Sequence, residues 1–275
     1  MTLTRIFPPA RAGFTSADPG STAPDSTDPD SAYPEGLGRE TVDGLAAASR
    51  DWLLAHYRRT DTAYLRVNMI GSLNGSATGD DGTSNTLTSR LDRRILGVIR
   101  ELSDVVLVGA GSVRAEGYVV PARAALAVVT SSGDLSGHRL EARPVDEAGG
   151  GHPVLVLCAR GNLGRAEATA GGRATIVPLD DEAGEIPLAS IVRALHDRGL
   201  TRIVCEGGPI LAGRLVAADL VDEFCLSTSP QVTLGGRPLL ESAEAGSRRF
   251  SLLQLLVDDA GATYARWSRA RPATG

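Results

Sequence analysis

The 275-residue chain contains no lysine, so all 28 of its basic residues are arginine. This absence excludes a Schiff-base lysine, a lysine nucleophile and the lysine of a Walker-type phosphate loop. Cysteine is scarce as well: Cys158, Cys205 and Cys225 stand alone, outside any Cys-x-x-Cys or Cys/His cluster, so no zinc site is expected. Each lies in an apolar run typical of a strand, which predicts three buried free thiols.

Positive charge is not concentrated anywhere in the chain, and the formal net charge is −5. A nucleic-acid binder usually carries a basic stripe, so no nucleic-acid partner is expected. Long apolar runs are missing too, because none approaches the roughly 18 residues of a membrane span. The N-terminus has no apolar segment of the kind that directs secretion. These absences predict a cytoplasmic protein that has no membrane partner.

The composition divides the chain into three parts. Residues 1–38 are rich in Asp, Pro, Ser, Thr and Gly and poor in large aliphatic residues, which predicts a disordered or loosely packed arm. Residues 39–62 are expected to form an amphipathic helical extension over Thr41–Arg59, and residues 63–270 the main domain. The extension is predicted from near-helical spacing of Val42, Leu45, Trp52, Leu53 and His56.

Strands and helices alternate in the main domain until its last third. Helices are predicted over Leu91–Leu102, Leu188–Arg198 and Ile210–Ala218. The expected strands are Leu65–Ile70, Asp104–Val108, Leu126–Thr130, Pro153–Leu157, Thr175–Val177, Arg202–Cys205, Glu223–Thr228, Phe250–Val257 and Thr263–Trp267. The turn Asp258–Gly261 joins the last two strands as a hairpin. The pattern predicts a three-layer α/β fold with a mostly parallel central sheet and a C-terminal antiparallel hairpin.

The turn after Cys205 is the first candidate for chemistry. Glu206 is followed by Gly207 and Gly208, and Pro209 then opens a helix that continues through Ile210 and Leu211. Glycine lets a phosphate approach the backbone, and the free N–H groups of a helix N-terminus attract an anion. An ordinary tight strand–helix turn would use the same residues, so the spacing alone leaves both interpretations open.

A second glycine turn follows the strand that ends at Val108. It comprises Gly109, Ala110, Gly111, Ser112, Val113 and Arg114. Arg114 stands where a dinucleotide-binding fingerprint has its third glycine, and the next strand ends in the hydroxyl-bearing Thr130, Ser131 and Ser132. An arginine beside hydroxyls suits a 2′-phosphate, which favours NADPH over NADH. The other interpretation is a plain turn with an exposed arginine.

Two further features flank these turns. The long polar loop that begins at Ser72 and Asn74 suits a cover over a ligand, although surface flexibility alone would explain it. Asp92 lies in the first turn of a predicted helix, where Ser89–Asp92 has the spacing of a capping box. Its carboxylate is expected either to support the helix N-terminus or to anchor a pyrimidine or pterin ring at the edge of a cleft.

Four motifs in order resemble the reductase domain of bacterial riboflavin biosynthesis, a family with a dihydrofolate-reductase-like fold. They are Ser72-Leu73-Asn74-Gly75, Val108–Arg114, Glu206-Gly207-Gly208 and Leu220–Glu223, and the resemblance spans about Leu65 to Trp267. It implies a reductase, without the deaminase domain that many members carry, which uses NADPH to reduce the ribosyl group of 5-amino-6-(5-phosphoribosylamino)uracil to ribityl. It also implies a homodimer.

The resemblance assigns roles to individual residues. Asp92 and Glu206 are the catalytic candidates. Asn68, Ser72, Asn74 and Glu116 would border the substrate. The cofactor would lie along two turns and one strand end: Gly109, Gly111, Ser112, Val113 and Arg114; Gly207, Gly208, Pro209, Ile210 and Leu211; Thr130, Ser131 and Ser132.

The chain departs from the family pattern at three of these positions. Asn74 replaces the usual aspartate, Asn68 stands in place of a strand lysine, and Glu116 replaces an aspartate. Two alternatives therefore stay open beside the pyrimidine reductase. One is a dihydrofolate-reductase-like enzyme acting on a pterin, suggested by Asp92, and the other is a catalytically silent NADP-binding protein, suggested by Asn74 and the missing lysine.

Overall fold

A computed structural model describes residues 1–6, 39–116, 118–138, 140, 153–172 and 174–269. The strands are β1 (Thr2–Ile6), β2 (Arg39–Asp43), β3 (Tyr64–Ser72), β4 (Val105–Gly109), β5 (Ala125–Thr130), β6 (Val154–Ala159), β7 (Ala174–Leu179), β8 (Arg202–Cys205), β9 (Glu223–Ser229), β10 (Phe250–Asp258) and β11 (Thr263–Arg269). The helices are α1 (Ser49–Tyr57), α2 (Arg90–Glu101), α3 (Ala110–Glu116), α4 (Leu163–Thr169), α5 (Leu188–His196) and α6 (Pro209–Ala217).

All eleven strands form one sheet in the order β2-β1-β10-β11-β9-β3-β8-β4-β5-β6-β7. The seven strands from β9 to β7 are parallel. The strands β11, β10, β1 and β2 continue the sheet in antiparallel pairs. Because β3, β8, β4 and β5 are consecutive neighbours, the turns that follow them meet at one edge of the sheet, where ligands of open α/β sheets collect.

The two faces of the sheet are covered by different helices. Alternate residues of β4 point to opposite faces, Val106 and Val108 to one and Val105 and Leu107 to the other. The first face packs against α1, α2, α3 and α4, and the second against α5 and α6. The predicted fold class, three layers with a mostly parallel sheet and a C-terminal antiparallel hairpin, is confirmed.

The first residues of the chain correct the prediction of an arm over residues 1–38. Thr2–Ile6 is not loose but forms β1, paired with both β2 and β10, and Leu3 is completely buried. The segment is too short and too close to a polar stretch to stand out in composition, and its stabilising partners lie far along the chain. The remaining part of the predicted arm, residues 7–38, lies outside the described residues.

The predicted helical extension begins later than expected. Residues 39–43 form β2, and only Ser49–Tyr57 is helical, with Leu53 and Tyr57 buried against the sheet. Val42, which fitted a helical spacing, faces the core from a strand instead. Tertiary pairing with β1 therefore overrides the local periodicity. The other predicted helices and strands agree with the structure to within a few residues at their ends.

The three cysteines are free and buried, as predicted. None of the helices in the described ranges is long and apolar enough to cross a membrane.

The amino-terminal end of the sheet contains a buried group of charges. Glu223 is completely buried and forms ion pairs with Arg59, Arg66 and Arg266 at 2.9, 3.0 and 2.9 Å. Burial alone would raise the pKa of Glu223, but the charges of Arg66 and Arg266 and hydrogen bonds from Arg266 and Arg59 lower it to about 2. This group joins β3, β9, β11 and the end of α1 at the pole opposite the turns described next.

Candidate active site

A cavity of about 730 Å³ opens at the carboxyl ends of β3, β8, β4 and β5. Its volume is that of a pocket for a cofactor or a metabolite. The lining combines β3, the loop after it, one side of α2 and the turns after β4 and β8. Among the predicted site residues, those that line it are Asn68, Asp92, Gly109, Gly111, Ser112, Glu116, Ser131, Glu206, Gly208, Pro209, Ile210 and Leu211.

The two glycine turns are joined to each other by hydrogen bonds. The backbone N–H of Gly109 donates to the carbonyl of Gly207 at 3.0 Å, and the N–H of Gly208 donates to Ser112 Oγ at 2.8 Å. Ser112 Oγ therefore accepts a hydrogen bond from the N–H of Gly208, the residue that precedes α6. Since Pro209 has no N–H, the donors left in the first turn of α6 are those of Ile210 and Leu211.

These turns leave space for a phosphate. A Cβ added at Gly111 would meet no atom of the described residues within 4 Å. The N-terminus of α6, which is the positive end of its helix dipole, lines the same cavity. The arrangement fits the pyrophosphate of a dinucleotide, with Gly111 and the amides of Ile210 and Leu211 as the surface against it.

Gly207 is a glycine for a different reason. Its φ of +99° lies in the left-handed region, and an added Cβ would stand 2.9 Å from Met69 Sδ. Gly207 is not among the residues that line the cavity, and its backbone forms the turn and accepts the bond from Gly109. The side chain of Val113 is completely buried in the core beneath α3. The cofactor contacts of both residues stay predictions.

Of the three hydroxyl-bearing residues at the end of β5, one lines the cavity. Ser131 lines the cavity, but Thr130 is buried and Ser132 Oγ accepts a hydrogen bond from the Asp134 N–H at 3.3 Å. Arg114 is placed beside this segment, where its Nη1 donates to the Asp134 carbonyl at 2.8 Å. The structure thus brings Arg114 to the expected strand end and places its side chain outside the cavity lining.

Ser72 and Asn74 also lie outside the cavity lining. Ser72 Oγ donates to Asn74 Oδ1 at 2.6 Å, and Asn74 exchanges hydrogen bonds of 2.8 and 3.1 Å with the backbone of Thr233. These side chains fasten the turn after β3 to the segment after β9, and their substrate contacts stay predictions. An amide suits this position since Asn74 both donates and accepts, which a carboxylate cannot do.

Glu116 and Asn68 remain at the cavity. Glu116 Oε1 accepts a hydrogen bond from the Ser84 N–H at 3.2 Å, so it joins the end of α3 to the loop that covers the cavity. Asn68 projects from β3 on the same face as Arg66 and is half-buried.

Asp92 is half-buried in the cavity wall and supports the N-terminus of α2, while its contact with a pyrimidine or pterin ring stays a prediction. Its backbone N–H donates to Ser89 Oγ at 3.1 Å, which caps α2, while its carboxylate accepts a hydrogen bond from Thr88 Oγ1. Burial raises the pKa of Asp92, although hydrogen bonds from Ser227 and Thr88 oppose the shift. The cap uses the backbone N–H of Asp92, whereas the carboxyl group is held by Thr88 and Ser227 at the cavity wall.

Glu206 is held by two residues that the sequence did not indicate. Arg100 Nε and Nη2 donate to its two oxygens at 2.7 and 2.6 Å, and the Tyr118 hydroxyl donates to Oε2. Arg100 lies at the C-terminal end of α2 and Tyr118 in the segment after α3, so neither belongs to a motif that the sequence analysis singled out. Arg93, which lines the cavity beside Asp92, was missed as well.

The chain is similar to a known protein family and to several characterised proteins. Residues 63–264 match the family model described as the RibD C-terminal domain. A riboflavin biosynthesis protein RibD of Mycobacterium tuberculosis is 27% identical over 218 residues, which cover 73% of this chain and 55% of that protein. The chain thus spans about half the length of this relative. A 2,5-diamino-6-ribosylamino-4(3H)-pyrimidinone 5′-phosphate reductase of Archaeoglobus fulgidus is 27% identical over 63% of this chain and 83% of its own.

Two solved structures share the fold. A pyrimidine reductase-like protein of Corynebacterium diphtheriae superimposes with a TM-score of 0.60 at 22% identity, over 76% of this chain and 93% of that one. A Thermotoga maritima diaminohydroxyphosphoribosylaminopyrimidine deaminase/5-amino-6-(5-phosphoribosylamino)uracil reductase gives 0.60 at 19% identity, over 76% and 57%. At these identities the likeness shows the fold alone.

Proposed function

The chain belongs to the RibD C-terminal domain family, and on that premise we propose that it is an NADPH-dependent reductase of riboflavin biosynthesis. Its proposed reaction reduces the ribosyl group of 5-amino-6-(5-phosphoribosylamino)uracil to ribityl. The observation that carries this proposal is the pair of bonded glycine turns beside Asp92 and Glu206, since it combines a phosphate cradle with two carboxyl groups in one cavity. The name of the Archaeoglobus fulgidus relative supports the same class of substrate.

The residues present fit a dinucleotide. Ile210 and Leu211 would donate N–H bonds to its pyrophosphate, Gly111 would let it approach the backbone, and Arg114 with Ser131 would lie toward a 2′-phosphate. When bound, the nicotinamide supplies a hydride. Preference for NADPH rests on Arg114, which stands beside the strand end after β5.

The chain's own side chains would orient the pyrimidine. Asp92 would form hydrogen bonds with donors on the ring, and Arg93, exposed on the same helix one residue away, would face the phosphate ester. Glu206 would accept a hydrogen bond from a hydroxyl or amino group near C1′. Reduction adds a hydride to C1′ of the opened imine and a proton to its nitrogen. The protein must therefore hold C1′ against the hydride donor and exclude water from the cavity.

The decisive experiment offers the full-length protein NADPH with the uracil substrate, with its 2,5-diaminopyrimidinone counterpart, and with dihydrofolate in separate assays. We expect loss of NADPH absorbance together with a ribityl product from the uracil substrate, whereas a ribityl product from the 2,5-diaminopyrimidinone alone would assign that compound as the substrate instead. Tight NADPH binding without turnover of any of the three compounds would instead establish a silent NADP-binding protein.

One observation favours a second candidate, a pterin reductase. Asp92 is a half-buried carboxyl group with a raised pKa, presented by a helix at the cavity wall, and such a group can bind the amino and ring nitrogens of a pterin. Turnover of dihydrofolate with no reduction of either ribosylaminopyrimidine would select this function.

A further inference from the structure

We infer that Arg100 and Tyr118 are positioning residues that fix the Glu206 carboxylate at the junction of the two glycine turns, with one acceptor site directed to the substrate. The effect of this arrangement on catalysis rests on the proposed function. The arrangement of the three side chains is argued from their hydrogen bonds, their burial and their place in the fold.

Three hydrogen bonds from two side chains hold the Glu206 carboxylate. Arg100 donates to both oxygens in a bidentate pair, at 2.7 Å from Nε to Oε1 and 2.6 Å from Nη2 to Oε2. The Tyr118 hydroxyl donates to Oε2 and accepts a hydrogen bond of 3.1 Å from Arg100 Nη2. The guanidinium carbon also lies 5.2 Å from the centroid of the Tyr118 ring, within the range of a cation–π contact. The three side chains form one closed group.

Burial strengthens this group. The side chain of Glu206 is 7% exposed and that of Arg100 is 24% exposed, so few water molecules compete for their hydrogen bonds. Burial alone would lower the pKa of Arg100, but its charge interaction and hydrogen bonds with Glu206 raise it above the ordinary value. The backbone of Glu206 is fixed as well, because its N–H donates to the Leu107 carbonyl at 3.0 Å.

Counting acceptor sites shows what the group leaves for a ligand. A carboxylate has about four lone-pair sites, two on each oxygen. Arg100 occupies one on Oε1, while Arg100 and Tyr118 occupy both on Oε2. The remaining site belongs to Oε1, and Glu206 lines the cavity. A substrate hydroxyl or amino group that donates a hydrogen bond to this site on Oε1 would be held in one orientation relative to Glu206.

The fold connects this group to Asp92. Arg100 and Asp92 belong to the same helix, α2, eight residues or roughly 12 Å apart along its axis. Tyr118 follows α3, which is the helix opened by the glycine turn after β4. One helix therefore carries both Asp92 and the arginine that holds Glu206, which fixes these two carboxyl groups of the cavity relative to each other.

The test compares Tyr118→Phe, Glu206→Gln and the double variant in the full-length protein. Tyr118→Phe removes only a hydroxyl, so we expect kcat to fall roughly tenfold, with the melting temperature and the dissociation constant of NADPH close to wild type. The double variant should be no slower than Glu206→Gln. Tyr64→Phe is the matched control, because its buried hydroxyl donates to the Leu102 carbonyl at the opposite pole, and its kcat should equal that of wild type.

Two kinetic results would overturn the inference: a wild-type kcat in Tyr118→Phe, or losses in the two single variants that multiply in the double variant. A stability cycle with Arg100→Gln and Glu206→Gln separates this inference from the proposed function. We expect the fall in melting temperature of the double variant to be much smaller than the sum of the single falls. Additive falls refute the group even when the wild type is active, whereas strong coupling without turnover of any pyrimidine refutes only the proposed function.

Discussion

Ser112 Oγ accepts a 2.8 Å hydrogen bond from the Gly208 N–H, which connects the turn after β4 to the N-terminus of α6. A second bond of 3.0 Å, from the Gly109 N–H to the Gly207 carbonyl, runs beside it. Two turns that are about 100 residues apart in the sequence thus form one surface at the cavity. Three predictions test this surface and the groups around it, and a fourth tests the buried ion pairs of Glu223 at the opposite pole.

Gly111→Ala should weaken NADPH binding without lowering stability. An added Cβ meets no described atom within 4 Å, so the protein tolerates it, but the methyl group would occupy the space proposed for the pyrophosphate. We expect the dissociation constant of NADPH, measured by fluorescence titration, to rise at least tenfold. Gly164→Ala is the matched control: it is also a helical glycine with open space around its Cβ, in α4. Equal NADPH affinity in both variants would place the pyrophosphate elsewhere.

Arg114→Ala should weaken NADPH more than NADH. Loss of a charge-assisted hydrogen bond to the 2′-phosphate costs about 1.5–3 kcal/mol, or roughly 10- to 150-fold in the dissociation constant. Arg165→Ala is the control, because Arg165 binds the carboxylate of Asp134 at 2.6 Å while Arg114 binds its carbonyl. If the two cofactors lose the same affinity in Arg114→Ala, the 2′-phosphate assignment is wrong.

Asp92→Asn should lower turnover and flatten the dependence of stability on pH. Burial raises the pKa of Asp92, so the stability that this group contributes is present below its unfolded pKa of about 3.9 and is lost as the pH rises through the folded value. Asparagine keeps the N–H that bonds Ser89, so the cap survives. We expect kcat/KM to fall roughly 10- to 150-fold, the value of a lost charge-assisted hydrogen bond.

The control for Asp92→Asn is Asp51→Asn, which removes a largely exposed carboxylate from α1. It should change neither turnover nor the pH profile of urea unfolding. A large fall in the melting temperature of Asp92→Asn with unchanged kcat/KM would show that this carboxyl group serves α2 alone.

Glu223→Gln should destabilise the fold strongly at neutral pH. Removing one partner from a buried ion pair costs about 3–5 kcal/mol, because the arginines around Glu223 would keep their charge without a carboxylate. The pKa of Glu223 is lowered to about 2, so its stabilising effect is present above the ordinary pKa of a glutamate and is lost as the pH falls toward 2. The gap between wild type and variant in urea unfolding should therefore narrow in acid.

Asp180→Asn provides the comparison for Glu223→Gln. Asp180 pairs with Arg160 at 2.7 Å, but both side chains are mostly exposed, so the variant should be far less destabilised than Glu223→Gln. Similar losses in the two variants would contradict the role assigned to burial.

The helix α2 shows why local features were predictable. Its apolar stripe of Leu91, Ile95, Val98 and Ile99 and its cap at Ser89 depend on neighbours within one or two turns, and each is found as expected. The turn from β8 through Gly208 and Pro209 into α6 is local in the same sense. The strand β1 was missed, because its stability comes from pairing with Leu255–Asp258, about 250 residues away.

The features of the site also separate into those that depend on local sequence and those that depend on distant parts of the chain. By itself the sequence determined the two glycine turns, the carboxyl groups of Asp92 and Glu206 and the family, because these depend on residue types at short spacings. Only the tertiary structure decided which side chains face the cavity: it places Ser72 and Asn74 in a turn, and brings Arg100 and Tyr118 to Glu206. The physical reason is that the hydrogen bonds from Arg100 in α2 and from Tyr118 after α3 to Glu206 after β8 require the order β3-β8-β4 in the sheet, and that order is fixed by packing over the whole domain.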